Sequence, residues 1–328
     1  MTIMTAFLPH LDTAAIGAPI TRVGVSLFPI YLPGRPHLGP TVTTVTTGPG
    51  APVEISERPD ATVPTLVATN RADVPVLLVE GQIVEGGRQN RVLNVSVVVP
   101  ARGSIDIPVS CVEQGRWHAH GDFGQGRSFA TRRVRRATEA GVARSHRLSG
   151  DRHAAQGMVW STIHHELSRL GVDHATGSAT AGDVRLQRPV PDARVRDDRP
   201  DDGVRFEQIR HAVDELVRRG PLPEQCGVVV AHGSRVVSIE CFASADLLAA
   251  HWPALVGSIM LDAPERRVGS PSATRALQFV RRVGARRATV SPGVGLGLEH
   301  HVQSSSVVGQ AVVVDDVLLH ASAFALAA

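Results

Sequence analysis

Lysine is absent from this chain of 328 residues, so all 34 of its basic side chains are arginine. That absence removes whole mechanisms. A P-loop needs a lysine on its phosphates, a pyridoxal enzyme needs a Schiff-base lysine, and a protein kinase needs its strand lysine. Arginine instead offers a planar fork that grips phosphate or carboxylate through two parallel hydrogen bonds. Aromatic residues are scarce, at 4% with a single tyrosine. Nucleobases would find little to stack on, so nucleic acid is not an expected partner. The three cysteines, Cys111, Cys226 and Cys241, form no CxxC pair. A zinc knuckle or redox dithiol is therefore not expected, and each thiol lies in an apolar run where it reads as buried and inert. No apolar run approaches the ~18 residues of a membrane span. The opening MTIMTAFLPHLDTAAIGAPI lacks a basic region and carries His10 and Asp12 early. It reads as neither signal peptide nor anchor, and cytoplasm is the expected location.

What is present fits a globular chain with a sizeable core: 43% apolar residues and a mean hydropathy of +0.02. The formal net charge of +3 is too modest to imply a polyanionic partner by itself. The organisation reads in three parts. Residues 1–120 are β-rich, with short apolar runs such as VGVSLFPIYL and VPVLLVEGQIV set between Pro, Gly, Asn and Asp. Leu93, Val95, Val97 and Val99 alternate with other residues, as do Ile105, Ile107, Val109 and Cys111, which is the half-buried antiparallel pattern. Pro108 marks an edge or a bulge. Residues 121–155 carry eight arginines against three acids and read as a solvated connection, or alternatively as a phosphate-facing surface. Residues 156–328 read as α+β. Helical periodicity is expected over QGMVWSTIHHELSRLG, VRFEQIRHAVDELVRRG, a segment from Ser244 with a kink at Pro253, and a segment from about Pro271 to Val283. Hairpins are expected at GVVVAHGSRVVSIECF and QAVVVDDVLLHASAF. Residues 182–202, rich in Pro, Arg and Asp, read as an exposed loop. The fold class is thus α+β, an antiparallel β-rich N-terminal region followed by a C-terminal part with two hairpins and about four helices.

The central stretch from residue 76 to 117 carries acids, amides and arginines where strand patterning calls for apolar residues. Glu80 interrupts VLLVEGQIV, while Gln89, Asn90 and Arg91 open the next strand. Glu113, Arg116 and Trp117 close the third strand. Burying a neutral polar group unpaired costs roughly 2–7 kcal/mol, and a charge costs more. Such residues therefore pair with each other or face a site. In adjacent antiparallel strands they can converge on one face. Arg91 and Arg116 would then clamp a phosphate or carboxylate, with Trp117 stacking on a ring. Gln89 and Asn90 would add hydrogen bonds, and Glu80 and Glu113 would accept sugar hydroxyls or act as general acid and base. The competing reading is a set of structural ion pairs with the tryptophan in the core.

Metal and cofactor signals are weak. His118, His120 and Asp122 form an HxHxD string that is a candidate metal site of loose geometry. His164, His165 and Glu166 lack the HExxH spacing, because Arg169 stands four beyond His165. Nothing in the spacing of His300, His301 and His320 demands a ligand set. Gly293–Gly297 does not lie between a strand and a helix as a dinucleotide fingerprint must, and no GxSxG elbow is present. The sequence assigns no cofactor.

The strings EGQIVEGGRQNR and SCVEQGRW, together with QGMVWSTI, CGVVVAHGSRVVSIECFAS and VGQAVVVDDVLLHASAF, resemble one family. It is the ARG and rhodanese-phosphatase-superfamily-associated protein domain, where ARG denotes ADP-ribosylglycohydrolase. The resemblance covers most of the chain from about residue 20. It implies an association with ADP-ribose-processing and phosphatase-like proteins, and it carries over no catalytic residues. The family pattern has lysine before Gln-Asn-Arg. Arg88 stands there in this chain, which keeps the charge but not amine chemistry. Three functions follow as expectations: a binding protein for an anionic, nucleotide-like metabolite, a hydrolase using Glu113 or Glu80, or an interaction module whose charges only pair internally.

Overall fold

In the computed structural model, residues 4–34, 43–44, 51–58, 63–116, 121–266 and 269–326 are described. The two predicted hairpins lie side by side in one antiparallel sheet of ten strands. Its spatial order is Met4–Ala6, Ala288–Pro292, Leu298–Gln303, Val307–Val314, Val317–Ala325, Arg235–Phe242, Gly227–His232, Val25–Tyr31 and Ala15–Ile16. The tenth strand, Ile20–Arg22, pairs with Val25–Tyr31. Each hairpin carries a register shift next to its turn, between Val230 and Ala231 in one and between Val312 and Val313 in the other. Asp315 and Asp316 both adopt positive φ, the geometry a tight hairpin turn requires. The sheet also takes in strands from the first 31 residues, so it crosses the boundary at 120 set by the sequence pattern.

Period-2 patterning sorts this sheet's two faces. Val228 and Val230 join a core built with helices α3 (Asp202–Arg219) and α4 (Ala245–Leu261). Val229 and Ala231 join the core beneath helix α5 (Ala273–Gly284). Pro253 lies inside α4 rather than ending it.

The central stretch builds a second sheet, in the order Gly124–Phe129, Gln82–Glu85, Arg91–Leu93, Ser104–Cys111, Thr65–Asn70 and Val53–Ser56. The run from Leu93 to Val99 is not one half-buried strand. It breaks after Leu93, and Val97–Val99 pairs instead with Val76–Leu78 in a separate three-stranded sheet. All of its residues are buried. Pro108 is not on an edge strand. It ends the pairing of Ser104–Cys111 with Thr65–Asn70, just before the pairing with Arg91–Leu93 begins. A residue without an N–H is tolerated at such a change of neighbour.

Two segments differ from their sequence reading. Within 121–155, residues Arg132–Ser149 form helix α1, stopped by Gly150 at φ 79°. Its buried face carries Val134, Thr138 and Val142 but also Arg135, Glu139 and His146. A face holding three ionisable groups does not read as core-facing, which is why the segment resembled a solvated connection. Within 182–202, the expected exposed loop begins inside a 3-10 helix, Ala179–Leu186, which buries Thr180, Ala181, Asp183 and Arg185. Helix α2 (Gln156–Arg169) lies where the periodicity predicts it. Among the described residues no helix is long and apolar enough to cross a membrane.

Candidate functional site

The polar residues of the central stretch separate into two places. Glu80 is sealed in the interior with no exposed surface. Arg135 of α1 reaches it, donating from Nη2 to Glu80 Oε2 at 2.6 Å. The same guanidinium donates to both oxygens of Glu240 at 2.9 Å. Ser322 Oγ donates to Glu80 Oε2 at 2.9 Å, and Ser96 Oγ accepts from the Glu80 N–H at 3.0 Å. His320 bridges Ser96 and Glu240, with Nδ1 2.8 Å from Ser96 Oγ and Nε2 2.7 Å from Glu240 Oε1. Burial pushes the Glu80 carboxyl above its usual range, Arg135 notwithstanding. Burial also acts against the charge on Glu240, but Arg135 and His320 outweigh it and hold that carboxyl below its usual range. Gly81 makes room for this contact. At its φ of 81° an added Cβ would overlap three Arg135 side-chain atoms, each closer than 3.0 Å. Glu80 therefore sits in a structural ion cluster, and it lines no part of the cleft described next.

Gln89, Asn90, Arg91, Glu113 and Arg116 do come together. Gly86 and Gly87, at φ 123° and 52°, turn the chain so that both carbonyls meet Arg116. Arg116 Nε donates to Glu113 Oε2 at 2.8 Å, and an Nη2 donates to Asn90 Oδ1 at 3.0 Å. Glu113 is thereby fixed at both oxygens. Thr176 Oγ1 donates to Oε1 at 2.7 Å, while the Asn90 N–H donates to Oε2 at 3.2 Å. Burial works to raise the Glu113 pKa, but these hydrogen bonds from Arg116, Thr176 and Asn90 prevail and hold it below the ordinary range. Gln89 Nε2 donates to the Glu113 carbonyl at 3.0 Å, and Arg91 donates to Gln89 Oε1 at 3.1 Å. Arg91 is buried, its pKa lowered chiefly by that burial. Cys111 is buried with its thiol 3.3 Å from the Glu113 carbonyl, so the inert reading of that cysteine fits its surroundings. Trp117, His118 and His120 lie outside the described residues.

Glu113, Asn90 and Arg116 line a cleft of about 680 Å³. Its other wall is the 3-10 helix and the chain on either side of it, including Thr176, Ser178, Asp183 and Arg188. Asn90 Nδ2 donates to Ser178 Oγ at 3.2 Å, stitching the two walls together at one end. Glu85 and Asp122 complete an acidic lining. Burial raises the pKa of Asp183, against the pull of Arg188 and a hydrogen bond from Ser128. Burial likewise raises Glu85, helped by the neighbouring Asp183 charge. The cleft thus presents one carboxyl whose pKa is lowered and two whose pKa values are raised. That division is how a site acquires separate acid and base groups. His174 Nδ1 accepts from the Thr176 and Ser178 N–H groups, and its Nε2 donates to the Pro191 carbonyl at 3.0 Å, so it braces the wall.

Asp183, Glu85, Thr176 and Arg188 were not singled out by the sequence. Asp183 and Arg188 lay in or beside a segment that looks exposed, and no local pattern marks them. Among the described residues no three His, Cys, Asp or Glu side chains group as metal ligands. Asp122 lines the cleft rather than joining a described metal cluster. His301 contacts Glu299 and Glu139, whereas His320 contacts Glu240, and Gln310 links the two groups by donating to Glu139 and accepting from the N–H of Ser96, whose hydroxyl meets His320.

The fold and the cleft define an α+β protein in which helix α1 ties an antiparallel sheet to a central β region bearing a carboxylate-lined polar cleft. The chain belongs to the family of the ARG and Rhodanese-Phosphatase-superfamily-associated Protein domain, whose family model matches residues 13–324. No curated protein and no solved structure matches it.

Proposed function

We propose that the cleft binds a sugar-bearing anionic metabolite of the ADP-ribose type. The observation that carries this reading is the carboxylate of Glu113, fixed through both oxygens by Arg116, Thr176 and Asn90 at the wall of an open cleft. A carboxylate pre-set in this way accepts ligand hydroxyls without first having to be ordered. Asp183 and Glu85 supply further acceptors for ribose hydroxyls, and Arg188, 3.4 Å from Asp183, supplies a cation beside them. Arg116 already donates to Glu113, Asn90 and two carbonyls, so in this reading it orients Glu113 rather than clamping phosphate. Gln89 and Arg91 support it from behind. The family's name links it to ADP-ribosylglycohydrolase-type proteins, which favours ADP-ribose over other sugar phosphates.

A second reading, hydrolysis of a bond to the sugar, is favoured by the opposite pKa shifts of Glu113 and Asp183. In it Glu113 acts as general base and Asp183 as general acid. A thermal-shift panel of ADP-ribose, ribose 5-phosphate and inorganic phosphate tests the binding reading. ADP-ribose at about 100 times its dissociation constant stabilises by roughly 2.7 kcal/mol. Asp183→Asn should abolish most of that shift, and no shift with any of the three at millimolar concentration would remove the proposal. Release of ribose products from bound ADP-ribose, lost in Glu113→Gln, would support the hydrolytic reading.

A further inference from the structure

Helix α1 presents its outer face to a second groove, of about 1220 Å³, which shares no lining residue with the carboxylate cleft. Arg132, Arg133, Arg136 and Arg144 come from α1, Arg235 from the first hairpin and Arg266 from the segment after α4. Two buried acids stand behind this wall, and both are already shared. Asp262 takes Arg132 at 2.5 Å and Arg133 at 3.2 Å. Glu166 takes Arg133 at 3.1 Å and Arg169 at 2.9 Å. Arg136, Arg144, Arg235 and Arg266 make no ion pair among the described residues. Arg136 is only partly exposed, and its pKa is lowered by burial and then by Arg132 and Arg133. Cations that outnumber the acids behind them in a concave site raise the local potential and favour any anion that can neutralise them together.

We propose that this groove is a binding site for an oligophosphate, a small ligand with two or more linked phosphate groups. Guanidinium forks match phosphate oxygens through paired hydrogen bonds. The lining between them includes the small residues Ala137 and Ala140 on α1, together with Ser161 and Thr162 on α2. The volume exceeds what one phosphate fills, and the unmatched arginines come from three separate segments, which suits a ligand that spans them. Among the described residues no Phe, Tyr or Trp lines the groove, whose rings are the imidazoles of His165 and His232. Bases of a single-stranded nucleic acid would find no large ring to stack on, so the phosphate chain rather than RNA is favoured.

The test is calorimetric titration of tripolyphosphate into the full chain at low ionic strength. Wild type should bind, and the affinity should fall as salt rises. The double variant Arg136→Gln/Arg235→Gln should bind about tenfold more weakly or worse. Arg282→Gln, on exposed α5, should bind as wild type. Should the first double variant melt abnormally by circular dichroism, Arg144→Gln/Arg266→Gln, both exposed, replaces it with the same expectation. Absence of binding at millimolar tripolyphosphate overturns the proposal, as does wild-type affinity in a folded double variant. Tight binding of a single-stranded RNA oligonucleotide that tripolyphosphate does not displace would also overturn it, in favour of a nucleic-acid surface.

Discussion

Replacing Arg135 by methionine should be among the most damaging single changes outside the apolar core. The guanidinium makes five hydrogen bonds to Glu80 and Glu240, whose side chains are 1% and 4% exposed. Methionine fills much of the volume, so little of the loss comes from a cavity. What remains is two carboxylates stranded in the interior. Removing one partner of a buried pair costs about 3–5 kcal/mol. Proton uptake by one stranded carboxyl relieves part of the second charge, so the loss at neutral pH should stay within that range. Against a typical stability of about 5–15 kcal/mol this is readily measured. The pH dependence has a definite sign. Loss of Arg135 raises the folded pKa of both carboxyls above the unfolded value of 4.5. The folded variant then binds more protons than the unfolded chain, and its stability falls as pH rises from about 4.5 through the raised pKa values. The deficit relative to wild type should therefore shrink toward pH 5. Urea unfolding followed by circular dichroism from pH 5 to 8 measures it. A deficit under about 1 kcal/mol at pH 7, or one that deepens on acidification, would refute the reasoning. Replacing Glu80, Arg135 and Glu240 together by apolar residues should recover much of the loss, since a fully replaced buried cluster is often neutral or stabilising.

Burial opposes the charge on His301, but the carboxylates of Glu139, 3.7 Å away, and Glu299, 3.3 Å away, win and raise its pKa to about 9. Its stabilisation is full below the unfolded value of 6.5 and disappears as pH rises toward 9, so His301→Gln should flatten the stability profile over that window. An unchanged slope between pH 6.5 and 9 would rule this out. His146, beside it, is lowered to about 4 by burial and then by His301, so the wild type should lose stability as pH falls from 6.5 toward 4, and His146→Phe should lose less over that interval. Gly81→Ala should cost several kcal/mol, because positive φ and a clash with Arg135 act together, whereas Gly34→Ala, at φ 68° in open space, should cost about 1–2 kcal/mol. Equal losses in the two alanine variants would show that the Arg135 contact is not what requires glycine at 81.

Local pattern carried the two hairpins and helices α2 to α5, because apolar residues run there at strand or helix length between turn and stop residues. Phe206, Ile209, Val213 and Leu216 are an instance, and all four are buried. Glu80 stood out correctly as a carboxylate in an apolar run, which must be paired if buried. Its partners could not be read, since Arg135 lies 55 residues away and Ser322 lies 242 away. Pairing at such range is set by tertiary packing alone. Helix α1 was hidden for a related reason. Its buried stripe is partly ionic, and charge ordinarily signals solvent. The cleft was half legible: Asn90, Glu113 and Arg116 were visible as misplaced polar residues in strands. The opposite wall, with Asp183 on a 3-10 helix inside a Pro, Arg and Asp-rich stretch, has the composition of a loop and gave no sign of burial.

Calorimetric titration of ADP-ribose into wild type, Asp183→Asn and Glu80→Gln tests the division of these carboxylates most directly. The cleft assignment requires that Asp183→Asn weaken binding by about tenfold or more in a protein that circular dichroism shows to be folded. Glu80→Gln should lower stability and leave the affinity of the folded fraction unchanged. Undiminished affinity in Asp183→Asn, or affinity lost through Glu80→Gln alone in a folded protein, would contradict the account.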